Sequence, residues 1–455
     1  MMFDFSLSML LDRLSEAGLS PQLLNASSVE FQFSITRICT DTRALKPGDL
    51  FLTLKGERFN ANDYVAQAID QGAAVAIVDE MRSDFAELSA PVVLVSDALE
   101  ALAQIALWQR LAFNGPVVSV TGSAGKTSTK QLMASVLSQA FNTCMTQGNL
   151  NNHIGVPLTL LSLTPEHQAA VVELGASGLR EIADIARLSL PQVGIITNAA
   201  AAHLEGFGSL QGVIETKGEL IDFVQDGGFI VLNADDAAFP QWKARAEKRQ
   251  LEIRTFGLQA GADVRARDIQ LDLTRSRFIV ELRDADGAVE TAAVQLPLAG
   301  AHNVLNALAV IAAAEGLKLP LQQIVTGLEK ASAVAGRMKA MESLRGQTVI
   351  DDSYNANPAS FLAAIRVLSA SPDSWLVMGD MAELGEGAQT AHQEVGEYAR
   401  THGVSTLVAT GPLSQLAVEA FGEGGYWFDS QKQLTDFINQ EAPEQAVILV
   451  KGSRS

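Results

Sequence analysis

The stretch PVVSVTGSAGKTSTKQLMASVL, residues 116–137, contains the pattern that decides the fold. Its first five residues read as a buried strand, the glycine turn TGSAGKTS (121–128) follows at once, and Leu132, Val136 and Leu137 then repeat at helical spacing. Strand, glycine loop and helix in this order form the arrangement in which backbone N–H groups and a helix N-terminus bind phosphates. The sequence therefore predicts a nucleotide-binding loop in an α/β domain.

Each residue type in this loop has a chemical use. Glycines allow the backbone to approach phosphate closely, the lysine can reach the β- and γ-phosphates, and the hydroxyl next to it can bind Mg²⁺. The usual pattern has a further glycine where this chain has Val120, so the loop is the shorter GxxGKT form. The residues expected to hold the nucleotide phosphates are Gly122, Ser123, Ala124, Gly125, Lys126, Thr127 and Ser128.

The composition is that of an acidic globular protein. The chain has 455 residues, 47% of them apolar, which is enough for about three domains of ordinary size. Its 33 Lys and Arg against 52 Asp and Glu give a net charge of −19, which disfavours long-range attraction to nucleic acids or anionic membranes. The two cysteines, Cys39 and Cys144, cannot form the disulfide framework of so long a chain, so a reducing compartment fits best.

No stretch of the sequence reads as a secretory signal or a membrane span. The first 18 residues carry Asp4, lack a basic start and read as an amphipathic helix. The most apolar helical stretch begins at Asn303 and is interrupted by Asn306 and Glu315, which leaves it short of the ~18–20 apolar residues that a span requires. We expect a soluble, cytoplasmic protein.

Strand and helix patterns alternate along the chain in three series. Unbroken apolar runs are typical of buried parallel strands, whereas the alternation between residues 264 and 297 is typical of an antiparallel hairpin or an edge sheet attached to the parallel core. We therefore predict an α/β protein with three domains at 1–97, 98–332 and 333–455, of which the middle one is the largest. The predicted strands are at 50–54, 74–78, 91–95, 116–120, 169–174, 193–197, 229–233, 278–282, 291–296, 348–351, 375–379, 406–411 and 446–450.

Two further side chains lie where a metal–phosphate site would need them. Glu173 ends one predicted strand and His203 follows the next. Open α/β sheets bind ligands at the C-terminal ends of their strands, and Mg²⁺ prefers hard oxygen ligands. Taken alone, each is more often a solvated carboxylate or a structural histidine, and Lys217 alone reads as a surface charge. Their position on the same sheet as the loop favours a ligand role for Glu173 and His203.

The motifs along the chain, taken together and in this order, resemble the Mur ligase family, the ATP-dependent amide ligases of peptidoglycan precursor synthesis. The resemblance runs nearly from end to end. Besides TGSAGKTS it rests on TDTRALKPGDLFLTLKGERFNANDY (40–64), GNLNNHIGVPLTLL (148–161), VVELGAS (171–177), TNAAAAHLEGFGS (197–209), ETKGEL (215–220), LNADD (232–236), GAHNVLNALA (300–309), GRM (336–338), DDSYNANPASF (351–361) and GDMAELG (379–385).

The resemblance implies a function and a domain plan. The DDSYNANP and GDMAELG motifs imply the family member that adds D-Ala-D-Ala to UDP-N-acetylmuramoyl-tripeptide through an acyl phosphate. The three domains would be an N-terminal UDP-substrate domain, a central P-loop ATPase domain with a mostly parallel sheet, and a C-terminal Rossmann-like ligase domain. The substrates would be small molecules, with no nucleic acid or membrane partner, and the enzyme would be a monomer.

The resemblance also implies roles in an ATP site. Lys126 and Arg337 would contact the γ-phosphate, Asn303 the adenine, and Asp352 the nucleotide or the hinge region. The implied metal ligands are Thr127, Glu173 and His203 for Mg²⁺, together with Lys217, which would be carbamylated by CO₂ and would face a second Mg²⁺. A carbamate would turn this cation into an anion, which is what a lysine beside a metal needs.

For the second substrate, the resemblance implies a site in the N-terminal part of the chain. Thr42, Arg43 and Lys55 fall in the segment that resembles the UDP-sugar site. Asn151 and Asn152 fall in the stretch that shapes the muramoyl-peptide channel.

Two other functions remain compatible with the sequence. Folylpolyglutamate synthase is a ligase with a similar core, but it lacks a dedicated UDP domain, and a nucleotide-switched binding protein would use ATP only to change conformation.

Two features depart from the family pattern: Ala200 stands where relatives often have glycine, and the chain stops at VKGSRS where relatives usually continue into a helix, so the end is either truncated or naturally short. The sequence leaves undecided whether the tripeptide carries diaminopimelate or lysine, and which base deprotonates the amine.

Overall fold

The structure is a computed structural model that describes residues 6–25, 35, 37–56, 59–201, 204–283 and 286–453. Contacts divide the chain into two compact units. The first unit comprises the segments up to residue 117, 144–172 and 184–190, and the second comprises 118–143, 173–183 and the chain from 191 onward. Both contain helices and sheet, which confirms the predicted α/β class. The boundaries predicted near 97 and 332 are a different partition and stay a prediction.

The first unit contains a mostly parallel five-stranded sheet. Its order is β1-β7-β6-β3-β2, in which β1 is antiparallel to β7 and the other pairs are parallel, and β4 and β5 form a separate hairpin. The elements up to residue 112 are α1 (Leu7–Glu16), β1 (Gln22–Leu23), β2 (Ile38–Cys39), a 3-10 turn (Thr42–Ala44), β3 (Leu50–Leu52), β4 (Lys55–Gly56), β5 (Phe59–Asn60), a 3-10 turn (Ala61–Tyr64), α2 (Val65–Asp70), β6 (Val75–Val78), a 3-10 turn (Ser83–Glu87), β7 (Val92–Leu94) and α3 (Ala98–Ala112).

Alternate residues of this sheet face two separate cores, as the period of a strand requires. Leu50 and Leu52 pack in one cluster with α1 and α3, while Phe51 between them packs in the other. Helix α1 buries Leu10 and Leu14 and begins after Ser6, whose side chain accepts a hydrogen bond from the Met9 N–H. The predicted amphipathic helix is thus confirmed from residue 7 onward.

Residues 117–329 supply a longer series of elements. The strands are β8 (Val117–Thr121), β9 (Thr143–Met145), β10 (Ala169–Glu173), β11 (Val193–Ile196), β12 (Phe229–Asn233), β13 (Glu252–Gly257), β14 (Val264–Leu271), β15 (Ser276–Arg283) and β16 (Val289–Leu296). The helices are α4 (Lys126–Leu137), α5 (Gly155–Leu161), α6 (Glu181–Ser189), α7 (Leu204–Phe207), α8 (Leu210–Gly218), α9 (Phe239–Lys248), α10 (Ala301–Gly316) and α11 (Leu321–Glu329), with a 3-10 turn at Glu219–Phe223. The division between the units runs through β8, β9, β10 and α6.

Within the second unit, the sheet changes from parallel to antiparallel along its width. Strands β8, β11, β12 and β13 pair in parallel, and β14, β15 and β16 then pair antiparallel. Every residue of β11 and β12 is buried, as expected for parallel strands covered on both faces. The stretch from 264 to 297, predicted as an antiparallel hairpin or an edge sheet, forms the antiparallel strands β14, β15 and β16 at one edge of the sheet. The parallel pairing of β8 with β11 places their C-terminal ends side by side, and the phosphate loop begins at the end of β8.

The most apolar helix of the sequence is a core helix. α10 buries residues all around its circumference and packs against α4 and β13. A helix that is apolar on every side and this short belongs inside a domain. In the ranges that the structure describes, no helix is both long and apolar enough to cross a membrane.

The C-terminal part of the second unit forms a six-stranded sheet of order β17-β18-β22-β19-β20-β21, parallel except for the edge strand β17. Its elements are β17 (Lys339–Glu342), β18 (Thr348–Asp351), α12 (Pro358–Leu368), β19 (Ser374–Met378), a 3-10 turn (Gly385–Gly387), α13 (Ala388–Thr401), β20 (Thr406–Thr410), α14 (Ser414–Phe421), β21 (Gly425–Phe428), α15 (Gln431–Glu441) and β22 (Val447–Lys451). The register aligns the C-terminal ends of β18, β22 and β19, so the loops after them share one edge.

Candidate active site

The phosphate loop has the backbone shape that its two glycines permit. Gly125 has φ +83° and precedes the first residue of α4, and Gly122 has φ +146°. A Cβ on Gly122 would lie 1.9 Å from the Thr197 Oγ1, so only glycine fits there. The N-terminus of α4 therefore opens onto the loop, as phosphate binding requires.

Asn198, which the sequence analysis did not single out, holds this loop in place. The Ser123 N–H donates to the Asn198 backbone carbonyl (3.0 Å), and the Ala124 N–H donates to the Asn198 Oδ1 (2.9 Å). The Ala124 carbonyl in turn accepts from the Asn198 Nδ2 (3.1 Å) and from the Thr197 hydroxyl (2.6 Å). The sequence feature that could have identified Asn198 is its position. Asn198 follows the C-terminal end of β11, as the phosphate loop follows the C-terminal end of β8.

Lys126 carries a cation into this loop. Its Nζ donates to the Gly122 carbonyl (2.7 Å) and to the Ser123 carbonyl (3.4 Å). Burial, helped by the nearby Arg337, lowers the pKa of Lys126 to about 8, and the opposing attraction of Glu173 does not compensate. An ammonium held mainly by carbonyl dipoles gains strongly from an anionic ligand, which is what a phosphate would provide.

Thr127 and Glu173 lie together behind the loop and are both buried. The Thr127 hydroxyl donates to the Glu173 Oε1 at 3.1 Å, so the two predicted metal ligands meet in space. A hydroxyl and a carboxylate are hard oxygen donors of the kind that Mg²⁺ prefers, and the residues present therefore fit this metal. Lys130, one turn further along α4, has its Nζ 3.1 Å from the Glu173 Oε2 and is itself 3% exposed.

Removing Lys130 is expected to destabilise the fold. The Lys130→Met variant leaves the Glu173 carboxylate buried with one cation fewer, and breaking a buried ion pair costs about 3–5 kcal/mol. Urea denaturation of the apo protein measures this loss. The matched control is Lys248→Met on the exposed surface of α9, for which we expect a change within about 0.5 kcal/mol. A loss for Lys130→Met as small as that of the control would contradict the ion pair's structural role.

Arg337 reaches the phosphate loop from the C-terminal part of the unit. Its Nη2 donates to the Thr127 Oγ1 at 3.1 Å, and its guanidinium carbon lies 4.2 Å from the centroid of the Tyr354 ring. A guanidinium stacked on an aromatic face is held in one plane while its N–H groups remain able to donate. The structure thus brings together Lys126, Thr127 and Arg337, whose roles toward ATP and Mg²⁺ stay predictions.

Two consecutive carboxylates fix the backbone on either side of Arg337. The Asp351 Oδ2 accepts from the Gly336 N–H (3.0 Å), and the Asp352 Oδ1 accepts from the Met338 N–H (3.1 Å). Both carboxylates come at the end of β18. The first part of the DDSY motif therefore holds the GRM motif, which explains why the sequence has both.

A cavity of about 360 Å³ opens between the phosphate loop, the start of α10 and the start of α12. Its wall includes the predicted nucleotide residues Asn303, Arg337 and Asp352. Asn303 is buried, donates from its Nδ2 to the Ala299 carbonyl (2.8 Å) and accepts from the Asn306 Nδ2 (3.2 Å). A pocket of this size with a few fixed polar groups is typical of a small-molecule site.

Lys217 lies in the interior, so the reading of this residue alone as a surface charge is wrong. It is 1% exposed, its Nζ lies 3.4 Å from the Ala176 carbonyl and 5.0 Å from the centroid of the Phe207 ring. Burial lowers its pKa to about 7, and the charge of Lys126 lowers it further against the attraction of nearby carboxylates. The sequence could not indicate this, because the apolar neighbours come from other segments.

His203 lies outside the described residues, so its role stays a prediction. Within the ranges that the structure describes, no three His, Cys, Asp or Glu side chains are grouped as a metal site.

The five predicted residues of the second substrate all belong to the first compact unit. Thr42 and Arg43 are in the 3-10 turn after β2, where the exposed Arg43 pairs with Asp41 at 2.7 Å. The Lys55 Nζ lies 3.2 Å from an Asp79 carboxylate oxygen. The structure brings Asn151 and Asn152 to the start of α5, where the Asn152 Oδ1 accepts from the Gly155 N–H at 2.9 Å. Their roles toward a substrate stay predictions.

Known proteins match this chain along nearly all of its length. Family models match residues 34–110 (Mur ligase family, catalytic domain), 120–314 (Mur ligase middle domain) and 336–454 (Mur ligase, glutamate ligase domain). A curated relative, the UDP-N-acetylmuramoyl-tripeptide–D-alanyl-D-alanine ligase of Escherichia coli K12, is 40% identical over 435 residues, which are 95% of this chain and 94% of the relative. The chain belongs to the Mur ligase family.

Solved structures of Mur ligases show the same fold. A crystal structure of MurF from Acinetobacter baumannii superposes with a TM-score of 0.90 at 34% identity and covers 99% of this chain and 96% of its own. The MurF ligase from Thermotoga maritima, crystallised in complex with ADP, has a TM-score of 0.81 at 27% identity, with 92% of this chain and 94% of its own covered. The middle-domain match contains the phosphate loop, and the C-terminal match contains Arg337.

Proposed function

We propose that this Mur ligase joins D-alanyl-D-alanine to UDP-N-acetylmuramoyl-tripeptide in the assembly of peptidoglycan precursors, with ATP converted to ADP and phosphate. The observation that carries the proposal is the meeting of the phosphate loop with Arg337 at Thr127, where the Arg337 Nη2 and the Thr127 Oγ1 are 3.1 Å apart. The substrates follow from relatives of that name which match the chain over almost its whole length.

The reaction needs ATP because a carboxylate does not accept an amine. Its leaving group would be oxide, so the carboxylate oxygen of the tripeptide first attacks the γ-phosphorus of ATP and ADP leaves. The amine of D-Ala-D-Ala then attacks the carbonyl of the acyl phosphate, loses a proton and expels inorganic phosphate as the amide forms. The carboxylate oxygen ends in that phosphate.

Charge stabilisation is the main task of the residues at the phosphate loop. The γ-phosphoryl group spreads its negative charge over three oxygens during transfer, and fixed cations around it lower the barrier. Lys126 and Arg337 are two such cations, one on the loop and one on the C-terminal part of the unit. Asn303 lines the same cavity, which fits a contact with the adenine, and Asp352 acts on the backbone that carries Arg337.

Mg²⁺ is the metal that the buried oxygen pair would hold. Thr127 and Glu173 would bind it, and His203 would contribute if it lies beside them. When bound, Mg²⁺ neutralises phosphate charge and orients the phosphoryl group. The chain's own residues perform the binding of ATP and the orientation of its phosphates.

We further propose that Lys217 is carbamylated. Its neutral amine would add CO₂ and release a proton, which gives an anion that can face a second Mg²⁺. Support comes from the burial of this side chain, which disfavours the charged ammonium and lowers the pKa of Lys217 to about 7.

A labelled carbonate experiment tests this modification. The protein in ¹³C-bicarbonate should give one slowly exchanging carbamate carbon resonance, which Lys217→Met abolishes and Lys248→Met retains. Because the carbamate anion is lost, Lys217→Met should also lower kcat by about 10²-fold. A resonance that persists in Lys217→Met would contradict the assignment to this lysine.

We propose that the three predicted domains at 1–97, 98–332 and 333–455 bind the UDP-linked peptide, ATP and the amine substrate, respectively, with Thr42, Arg43 and Lys55 on the first substrate. A monomer fits an ATP pocket that one chain supplies, and a cytoplasmic location fits a reaction that consumes ATP and a UDP-linked compound.

A phosphate-release assay tests the proposed function. A ligase should release phosphate from ATP only when UDP-N-acetylmuramoyl-tripeptide and D-Ala-D-Ala are both present, and the assay with diaminopimelate- and lysine-containing tripeptides determines which is accepted. Oxygen-18 in the tripeptide carboxylate should appear in the released phosphate. Turnover with folate and glutamate instead would indicate folylpolyglutamate synthase activity, and release that depends on a macromolecule would indicate a nucleotide switch.

A further inference from the structure

Lys451 is a buried cation beside the ATP cavity that none of the proposed roles uses. It is the last residue of β22, and its side chain is 2% exposed. Its Nζ lies 2.6 Å from the Asp352 Oδ2 and donates to the Asn355 carbonyl at 3.0 Å. The ammonium is therefore held against one carboxylate at the edge where β18 and β22 end.

The other oxygen of that carboxylate acts on the segment that carries Arg337. The Asp352 Oδ1 accepts from the Met338 N–H at 3.1 Å, and Met338 has φ +50°, in a region that residues with side chains rarely adopt. Such a conformation persists only where the surroundings hold it. The backbone turn after Arg337 thus depends on the position of the Asp352 carboxylate.

Charge gives the ion pair a second effect. Burial lowers the pKa of Lys451, the negative charge of Asp352 opposes this shift, and Arg337 lies close enough for its positive charge to lower the pKa further. Asp352 therefore lies near two cations. While Lys451 neutralises the carboxylate, the Arg337 guanidinium stays available for the Thr127 side of the cavity. Without the ammonium, the part-buried Asp352 carboxylate would attract the guanidinium to itself.

We propose that Lys451 is a positioning residue of the ligase reaction: by pairing with Asp352 it fixes the Met338 amide and keeps Arg337 directed at the transferring phosphoryl group. The inference rests on the proposed function, because it needs phosphoryl transfer as its readout. It assigns Lys451 no contact with the nucleotide, since two of its three N–H donors are already used within the protein.

A double-mutant cycle tests the proposal with the full-length enzyme, ATP and both substrates. In the wild-type background, Lys451→Met should lower kcat at least about tenfold with little change in the KM for ATP, because a misplacement of about 1 Å in a catalytic group can cost as much as about 10²-fold. In the Arg337→Ala background, the same change should alter kcat by less than about twofold, because the group that it positions is gone. Lys432→Ala, an exposed lysine on α15, is the control and should match its parent.

Each other outcome overturns the proposal. Equal losses in both backgrounds would indicate an effect independent of Arg337, and a raised KM for ATP with unchanged kcat would indicate direct nucleotide binding by Lys451. Should Lys451→Met fail to fold, the neutral pair Lys451→Met with Asp352→Asn enters the cycle under the same criteria. Wild-type enzyme that releases no phosphate with both substrates would refute the proposed function. The kcat values of the Lys451 variants are compared only with those of a wild-type enzyme that is active.

Discussion

The Lys126→Ala enzyme should remain folded and lose about 10²–10³-fold in kcat, the loss that follows when one fixed charge contact to a transition state is removed. The Lys126 Nζ donates to the Gly122 and Ser123 carbonyls at the N-terminus of α4. From there the side chain can rotate toward a phosphate without a movement of the backbone. Folding is retained because burial lowers the pKa of this lysine to about 8, which means that the folded protein holds the charged form at a cost. Removing the charge relieves that cost.

Phosphate release with both substrates measures kcat, and thermal melting of the apo enzyme checks the fold. Lys248→Ala is the matched control, since it deletes an exposed lysine and should keep the activity of the wild type. Turnover of Lys126→Ala within about threefold of the control would contradict the assignment of this lysine to the γ-phosphate.

Loss of Arg337 should have an effect of similar size. Arg337→Ala removes the cation that the C-terminal part of the unit supplies at Thr127, and we expect kcat to fall by about 10²–10³-fold. Arg337→Lys should recover only part of this loss, because an ammonium lacks the planar group that stacks on Tyr354 and offers fewer fixed donors. The KM for D-Ala-D-Ala should change little in either variant.

Tyr354→Phe is the matched control for Arg337, because it keeps the ring face and deletes only the hydroxyl. Its kcat should stay within about threefold of the wild type. Full activity of Arg337→Ala in the two-substrate assay would remove this residue from the mechanism and with it the argument for Lys451.

Local patterns were sufficient for the buried strands and for the phosphate loop, whereas strands with more exposed residues, such as β13 and β21, were not predicted. Buried strands can be recognised as unbroken apolar runs. A glycine turn between a strand and a helix can be recognised from residues that are neighbours in the chain. For the same reason the antiparallel strands between residues 264 and 297 and the amphipathic helix that begins at Leu7 could be predicted. The family resemblance added Arg337 and Asp352, which no local pattern identifies.

The burial of three lysine side chains could not be predicted from the sequence. Lys130, Lys217 and Lys451 stand in stretches that read as ordinary polar positions, yet each is at most 3% exposed. A lysine is buried or exposed according to what packs over it, and these neighbours come from distant segments. Asn198 was missed for a similar reason, because its hydrogen bonds to Ala124 exist only after β8 and β11 pair.

From its residue order alone, this chain specified an α/β protein with a glycine loop between strand and helix at residues 121–128, because strand, turn and helix propensities act between residues close in sequence. The partners of that loop were decided by the tertiary structure. Arg337 meets Thr127 across 210 positions of chain, and Lys451 meets Asp352 across 99. Contacts over such separations depend on how sheets and helices pack, since only packing brings these polar groups out of water and against each other.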